Sequence, residues 1–467
     1  MFFSWRKPGM MMQAFWPSMR LLCRRARLQP RAIYCALACA FATPVAAQTC
    51  PDLSAYYQDS DPDWAAIEAR LAPLMTQCLR STEYFALRGA AQLNSGMVAE
   101  SLDSLERALL LDPDNGAAQI DYAEALFQQG QLFSALALNE QILDRGDLPA
   151  NLQPALAARQ KTWQSMTQQT SFQADLLAGY DTNLNGAPDP DLITLTLSGE
   201  PVFLPLSEEF RPVSGPYLNP RLGMRYRQLA PDHQHNFSAE IRGRASEDQE
   251  SDLFQLGARY AFVKPGPASS WQVATGMSHL FFGGSALYSA TEASGRYQWN
   301  RPGACRPFTT LAAQHQLYHE QQRLNSLEAK ASAGLSCPRT GENSQQQWNI
   351  DIGWVHSEPL RSGRPGGVRE GWQINMDWQA NWQGNTFRAL VNHTQLDDRR
   401  GYSPLLVGGA ARWLDRSYVL LQYRKPLNWV AQDASLLVNL YHQRQRSNIE
   451  LFRTYDNTFE VGFSFRF

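Results

Sequence analysis

The sequence lacks any hydrophobic run long enough to cross a membrane as a helix. Its one extended apolar stretch, residues 32–45, is shorter than the roughly 20 residues that a transmembrane α-helix needs. Charged residues make up only 18% of the chain, and the mean hydropathy is −0.40. These values argue against a helical membrane protein, but they do not distinguish a soluble chain from one that crosses a membrane with strands.

The short motifs of common enzyme chemistry are also missing. We find no HExxH zinc motif, no phosphate-binding P-loop, no CxxC pair and no GxSxG nucleophile turn. The tripeptide Asn392-His393-Thr394 would suit a hydrolase that carries its histidine on a barrel strand. Such an enzyme also needs a nucleophile and an orienting group in fixed geometry, which a tripeptide does not supply. We therefore predict no enzymatic activity, no cofactor and no metal site.

Acidic residues are absent from the first 47 positions, which contain seven basic ones. Arginines precede the apolar run 32–45, and Val45-Ala46-Ala47 follows it. This order predicts a secretory signal peptide over residues 1–47, cleaved after Ala47, with Met19 as an alternative start. A lipoprotein signal at Cys39 is disfavoured, because Ala36, three positions before this cysteine, is not a residue that such a signal uses there.

The exported chain would carry 35 basic and 44 acidic residues, a net charge of −9. This balance argues against nucleic acid as a partner. Four cysteines remain after cleavage, at positions 50, 78, 305 and 337. An even number of cysteines in an exported protein predicts two disulfides.

Residues 48–168 have a helical period and contain two segments that repeat at a spacing of 34 residues. Small residues recur where paired helices cross, a glycine separates the helices, and Pro113 follows the first unit. This pattern predicts tetratricopeptide repeats with capping helices at 64–79 and 148–168, and an ordinary pair of helical hairpins is the alternative. Arg88 and Asn139 depart from the pattern, because apolar residues are usual there. The candidate client-binding positions in the repeat groove are Glu83, Ala86, Ala90, Leu93, Asn94, Ile120, Glu124, Phe127 and Gln128.

Residues 169–467 alternate instead between apolar and polar side chains, in one run after another. The stretch at 371–382 places tryptophan, isoleucine and methionine on one face and glutamine, asparagine and aspartate on the other. The runs extend for about 10–13 residues, which matches a membrane crossing by a strand and exceeds the usual strand of a soluble sheet. A soluble sandwich would show the same alternation, but the strand length and the Trp and Tyr residues near strand ends favour a transmembrane barrel.

We count about fourteen strands, an even number that places both ends of the barrel on one side of the membrane. Long connections, including 185–215, would then face outside, and short turns inside. The connection 185–215 contains a predicted hairpin turning at Ser198-Gly199, which would stand above the rim, fold into the lumen or form an exposed loop. The count also brings Cys305 and Cys337 to the same side and predicts that they pair, while Cys50 and Cys78 would tie the N-terminus to the first helix. The charged residues expected to face the lumen are Asp175, Asp181, Arg221, Arg225, Arg227, Glu240, Arg242, Arg244, Glu328 and Lys330.

The chain therefore has the expected fold of an α+β multidomain protein, in which a tetratricopeptide α-solenoid precedes a transmembrane antiparallel β-barrel of about 14 strands. The final strand, with Phe467 as its last residue, resembles the C-terminal assembly signal of bacterial outer-membrane proteins. We thus predict an outer-membrane location, a periplasmic helical domain, and contact with outer-membrane lipid, lipopolysaccharide and the barrel assembly machinery.

The stretch GYDTNLN at residues 179–185, at the end of the first barrel strand, is similar to the opening of barrels in the Slam family, the surface lipoprotein assembly modulators. Together with the signal peptide, the repeats and the strand count, it makes nearly the whole exported chain resemble that family. The resemblance implies a translocon that moves client lipoproteins or secreted effectors to the cell surface, with the helical domain engaging the client or a periplasmic chaperone. An exopolysaccharide export porin with a periplasmic repeat scaffold is the alternative. A plain diffusion porin would not explain the repeats.

Overall fold

A computed structural model describes residues 49–467 except 58–61, 302, 304, 342, 430 and 432. The predicted signal peptide lies outside the described residues. The α-helices are α1 (Trp64–Leu71), α2 (Thr82–Asn94), α3 (Val98–Leu111), α4 (Gly116–Gln128), α5 (Leu132–Leu143) and α6 (Gln153–Ser165). The strands are β1 (Gln168–Asp181), β2 (Leu192–Leu197), β3 (Glu200–Pro205), β4 (Gly215–Leu229), β5 (Gln234–Ser246), β6 (Leu253–Lys264), β7 (Ser269–Phe282), β8 (Ser285–Trp299), β9 (Arg306–Tyr318), β10 (Ser326–Gly341), β11 (Ser344–Pro359), β12 (Arg369–Trp382), β13 (Asn385–Gly401), β14 (Ala411–Pro426), β15 (Ala434–Ser447) and β16 (Thr454–Arg466).

The helical region consists of consecutive antiparallel helices around one apolar core. Within each repeat the two helices are joined by a tight turn at Gly96 or Gly130, where φ is +80° and +85°, a conformation that favours glycine. The helices cross closely at Gly89, because a Cβ there would lie 2.5 Å from Cγ of Leu105. None of the described helices combines the length and the apolar content that crossing a bilayer requires.

The two end helices are shorter than the sequence predicted. The predicted helix 64–79 ends at Leu71 and continues as a short 3₁₀ turn that contains Pro73, since proline cannot continue the α-helical hydrogen bonding. At the other end, α6 begins only at Gln153, with Pro154 in its first turn, a position that proline tolerates well.

The two polar departures from the repeat pattern hold these end helices in place. Arg88 on α2 forms an ion pair of 3.3 Å with Glu68 on α1. Asn139 on α5 is fully buried, donates to Gln160 of α6 at 2.8 Å and accepts from Nε of Arg159 at 2.9 Å. Polar residues therefore stand at these positions because each one satisfies a partner on an adjoining helix.

Fourteen strands form the predicted closed antiparallel barrel, in which β1 pairs with β4 on one side and with β16 on the other. Large apolar side chains are exposed around the outside, including Leu222 at 58%, Met277 at 64% and Leu311 at 66%. A soluble protein does not expose so extensive an apolar surface, whereas a barrel in a membrane turns it to lipid. The structure therefore excludes the soluble sandwich and supports a location in the outer membrane.

We call the end of the barrel where β1 begins and β16 finishes the helix end, and the opposite end the loop end. The long connections 182–214, 360–368 and 402–410 all lie at the loop end, as the predicted strand parity requires. The first of them contains the additional strands β2 and β3, which pair as the predicted hairpin. The hairpin turns at Ser198 and Gly199, both with positive φ, as tight hairpin turns require.

Both predicted disulfides are confirmed. Cys50 is bonded to Cys78, which fastens the N-terminal segment to the region that follows α1. Cys305 is bonded to Cys337 and joins the start of β9 to β10 at the helix end of the barrel.

Candidate functional site

The barrel encloses a polar cavity of about 940 Å³ towards its helix end, and seven arginines and three carboxylates line it. Alternation along each strand directs these side chains inward while the apolar ones face out. Five of the predicted lumen charges line this cavity: Asp175, Arg221, Arg225, Glu240 and Arg242. Arg227 lies nearer the rim and donates to Gln169 at 2.8 Å.

The other predicted lumen charges form pairs. Arg244 forms an ion pair of 3.0 Å with Asp181, whose carboxylate is almost completely buried. Lys330 and Glu328 pair at 2.9 Å on one strand, β10. These pairs agree with a lumen in which opposite charges neutralise one another, and they leave the arginines of the cavity as its dominant charge.

A buried carboxylate organises the wall where the barrel closes. Glu460 on β16 is 2% exposed and lies 3.0 Å from Nη2 of Arg221. Its two oxygens accept hydrogen bonds from five side chains on β4 and β15: Tyr217, Asn219, Arg221, Asn439 and Tyr441. A carboxylate with this many donors is fully satisfied, so its hydrogen bonds offset the cost of removing it from water and hold three strands together. Nothing in the sequence indicates this residue's role, because its three partners on β4 lie more than 200 residues away along the chain.

A second cluster at the loop end was also missed. Asp398 is buried and accepts from Arg369 and Arg412, each at 3.0 Å. Arg364, from the connection 360–368, is also buried and donates to Ser357 at 3.0 Å. Arg369 on β12 and Arg412 on β14 thus pair with one aspartate on β13, and Arg364 from the loop lies within electrostatic range of it. An alternation pattern gives no sign of this cluster because it does not show the register between these strands.

The GYDTNLN stretch shapes the exit of β1 into the long connection. Oδ1 of Asp181 accepts from the backbone N–H of Asn183 at 2.7 Å. Asn183 bonds both the N–H and the carbonyl of Ala187, and Asn185 does the same for residues 211 and 213. Short polar side chains that pair with nearby backbone fix the turn, which accounts for the alternation of Asp and Asn in this motif.

The hairpin of β2 and β3 lies against other loops of the loop end. The N–H of Thr196 donates to the carbonyl of Leu405 at 2.9 Å, and the N–H of Gly408 donates to the Thr196 hydroxyl at 2.8 Å. Thr194 contacts Glu450 in the connection between β15 and β16. The hairpin therefore reaches from the end of β1 as far as the connection between β13 and β14, and none of its residues lines the lumen cavity.

In the helical domain, the predicted groove positions divide into two groups. Ala86 and Leu93 are buried in the core, so their side chains are not accessible to a client. Phe127 stacks on Trp163 of α6 with ring centroids 4.8 Å apart. Ile120 packs against the core and Ala90 is partly exposed.

The polar groove positions are the accessible ones. Glu83, Asn94 and Gln128 are exposed, and Gln128 donates to Glu124 at 3.2 Å. Near them on α4, burial raises the pKa of Asp121 to about 6, and the nearby Glu124 adds to this effect while Arg159 opposes it. The accessible groove surface is therefore polar, and beside it lies a partly buried carboxyl group, that of Asp121, whose pKa is just below neutral pH.

His393 does not take part in a catalytic relay. Its Nδ1 atom lies 3.0 Å from the Ser417 hydroxyl and 3.7 Å from the Asp415 carboxylate. A relay needs the nucleophile and the orienting acid on opposite ring nitrogens, whereas here the same nitrogen faces both. Among the described residues, no group of three or more His, Cys, Asp or Glu side chains could hold a metal ion.

Comparison with known proteins identifies part of the helical domain. Residues 92–159 match the tetratricopeptide repeat family. No curated protein matches the chain. Among solved structures, an anion-selective porin from Comamonas acidovorans is 9% identical, with a TM-score of 0.34 over 64% of this chain and 99% of the porin.

Two further solved structures show similar values. A bacterial polysaccharide outer-membrane secretin is 10% identical, with a TM-score of 0.32 over 63% of this chain and 98% of its own. The outer-membrane channel DcaP of Acinetobacter baumannii is 9% identical, with a TM-score of 0.36 over 65% of this chain and 98% of its own. Sequence identities and TM-scores this low give no basis for assigning the function of any of these proteins to the present chain.

Proposed function

We propose that the protein is an outer-membrane export factor that delivers client lipoproteins or secreted effector proteins to the cell surface. In this proposal the helical domain lies in the periplasm and binds the client or its chaperone. The barrel is the route or the assembly platform, and it contacts outer-membrane lipid and lipopolysaccharide.

The observation that carries the proposal is the direct connection between repeat domain and barrel. Helix α6 ends at Ser165 and β1 begins at Gln168, and the carbonyl of Thr167 already accepts a hydrogen bond from Leu229 of β4. Repeat domains bind extended partners along their surface. A groove attached this closely can present its partner at the helix end of the lumen, and the resemblance to the Slam family points to the same role.

The test compares the surface-exposed proteins of cells that carry the parent, no protein, or a groove variant. Glu83→Arg combined with Gln128→Arg changes two exposed groove positions. Glu100→Arg combined with Gln129→Arg is the matched control, because Glu100 is also a first-turn glutamate and Gln129 is the exposed neighbour of Gln128. We expect the deletion and the groove variant to lose surface labelling of the same few proteins while the control keeps it.

The orientation is part of the proposal and has its own test. Tags in 360–368 and 402–410 should be labelled on intact cells, whereas tags in 301–307 and 339–343 should be labelled only after the outer membrane is opened. If tags in the second group were labelled on intact cells, the barrel would have the opposite orientation and the helical domain would not lie in the periplasm.

The excess of arginine in the lumen cavity favours a second candidate, the export of an acidic polysaccharide. Polysaccharide exporters of this kind would be expected to have a longer helical solenoid and a wider pore. The short helical domain and the fourteen-stranded barrel of this chain therefore fit this function less well. An unchanged set of surface proteins in the deletion strain, together with a loss of secreted polysaccharide, would replace the first proposal by the second.

A further inference from the structure

The arginines of the lumen cavity are not equally neutralised. Arg221, Arg259 and Arg388 form ion pairs with Glu460, Glu292 and Asp377 at 3.0, 3.2 and 2.9 Å. The other four arginines that line the cavity, at positions 225, 242, 424 and 466, have no carboxylate within 4.0 Å among the residues that the structure describes.

Three of these four arginines belong to one side of the barrel wall. Arg225 is on β4, Arg424 on β14 and Arg466 on β16, and Arg424 lies within electrostatic range of both others. The wall strands run in the order β14, β15, β16, β1 and β4. The three guanidinium groups therefore converge on one section of the lumen near its helix end.

The surroundings leave these groups free to bind a ligand. Arg424 donates to the Ser464 hydroxyl at 2.9 Å, which occupies one of its five N–H donors. The nearby carboxylate of Asp175 accepts both hydrogen bonds of the Gln173 amide, at 3.0 and 2.9 Å. Arg225 is exposed to the cavity, and neither Arg225 nor Arg466 makes a side-chain hydrogen bond among the described residues.

We propose that Arg225, Arg424 and Arg466 form a binding site for an oxyanion in the lumen, with phosphate, carboxylate or sulfate as its chemical class. Guanidinium groups bind such anions through paired N–H donors, and rings of arginine select anions in membrane pores. Low-dielectric walls also concentrate the field of uncompensated charges in a cleft. The site takes the anion from a small solute or from successive groups of an acidic polymer. It does not depend on the proposed export of proteins.

The experiment measures pyrophosphate binding to the full-length protein in detergent by titration calorimetry at low ionic strength. The triple variant Arg225→Gln, Arg424→Gln and Arg466→Gln should bind at least about 10-fold more weakly, since three charge-assisted contacts are lost. The control Arg339→Gln with Arg444→Gln removes two exposed arginines that do not line the cavity and should bind as the parent does. Because the triple variant could fail to assemble, Arg466→Gln alone is measured as well, and we expect its affinity for pyrophosphate to fall about 3-fold. Gel electrophoresis of heated and unheated samples shows whether each variant is folded.

A second measurement separates the two sources of the anion. If long-chain polyphosphate binds at least 10 times more tightly per phosphate than pyrophosphate, the site belongs to a path for an acidic polymer. Equal binding per phosphate assigns it to small solutes. Absence of pyrophosphate binding to the parent, or binding that the folded Arg466→Gln variant and the triple variant both retain, overturns the proposal.

Discussion

The hydroxyl of Tyr217 donates a hydrogen bond of 2.9 Å to Glu460 across an intervening strand. Gly179 of β1 is paired with Glu460 on one side and with Tyr217 on the other. The tyrosine ring lies over this glycine, and its hydroxyl thereby bridges β4 to β16. The contact joins residues separated by 243 positions in the sequence.

Removal of this hydroxyl should weaken the barrel at its closing strands. We expect Tyr217→Phe to reduce the free energy of unfolding by about 1.5 kcal/mol, since hydrogen bonds to charged groups contribute about that much. The measurement is the denaturant concentration at the midpoint of barrel unfolding in the purified protein. Tyr226→Phe is the control, because Tyr226 lies on the same strand and makes no side-chain hydrogen bond among the described residues. Equal midpoints for the two variants would contradict the bridging role.

Gly179 should not accept a side chain. A Cβ at this position would lie 2.6 Å from Cζ of Tyr217 and 2.9 Å from the Phe459 carbonyl oxygen, which forces the strands apart. We expect Gly179→Ala to lower the yield of folded, heat-modifiable protein severely. Gly223→Ala is the control, because the nearest atoms there are 4.0 Å from the added Cβ. Normal folding of Gly179→Ala would show that the strands can separate without loss.

The helical domain should become less stable as the pH rises through the titration of Asp121. Burial raises the pKa of its carboxyl group from 3.8 to about 6, so between these values the folded domain holds a proton that the unfolded chain releases. Stability therefore falls from about pH 4 to about pH 6 and changes no further through this group. We expect Asp121→Asn to stabilise the domain by about 1–2 kcal/mol at pH 7.5 and to have little effect at pH 4.

The measurement is the melting of helical ellipticity at 222 nm in the full-length protein. Asp103→Asn serves as the control, since Asp103 is exposed on α3 and its replacement should not alter the pH profile. If Asp121→Asn did not change the dependence of the melting temperature on pH between pH 4 and 6, another titrating group would be responsible for that dependence.

The two disulfides should affect different parts of the molecule. Replacing Cys50 and Cys78 by serine should destabilise the helical domain by about 3 kcal/mol. The two cysteines are 28 residues apart, and without the bond the unfolded chain gains the conformational entropy of that loop. Serine at Cys305 and Cys337 should leave the helical melting curve unchanged. A shift of that curve by the second pair would mean that the barrel and the helical domain unfold together.

Phe467 should matter more for assembly than for the stability of the finished barrel. It exchanges two backbone hydrogen bonds with Phe172 at 2.6 and 3.1 Å, but its side chain is 71% exposed. Its burial therefore contributes less than the ~1.5–3 kcal/mol of a fully buried aromatic side chain. Deletion of Phe467 should sharply reduce the amount of protein in the outer membrane, measured by fractionation, while Phe467→Tyr should preserve it. Unchanged amounts after deletion would remove its role as an assembly signal.

The architecture could be predicted because it depends on periodicity, which is local in the sequence. Alternation over long runs predicted the fourteen strands, and the parity of the strands predicted that Cys305 and Cys337 would meet. The network around Glu460 could not be predicted in this way, since it depends on the register between β4, β1 and β16. The cluster around Asp398 depends on the register between β12, β13 and β14. The groove positions Ala86 and Leu93 are buried in the helical core, which the repeat pattern alone did not show.

The closing pair of strands has a consequence for how the protein is made. Strand β1 can pair with β4 early, but its other edge has no partner until the last residues of the chain arrive at β16. An unpaired strand edge with alternating apolar side chains readily joins other chains and aggregates. We therefore expect that the chain needs protection from self-association until β16 has been made, and that closure, which is the most non-local pairing of the barrel, is a slow step of its folding. Variants that weaken this closure should expose the edge for longer and should be degraded or aggregate before they are ever inserted.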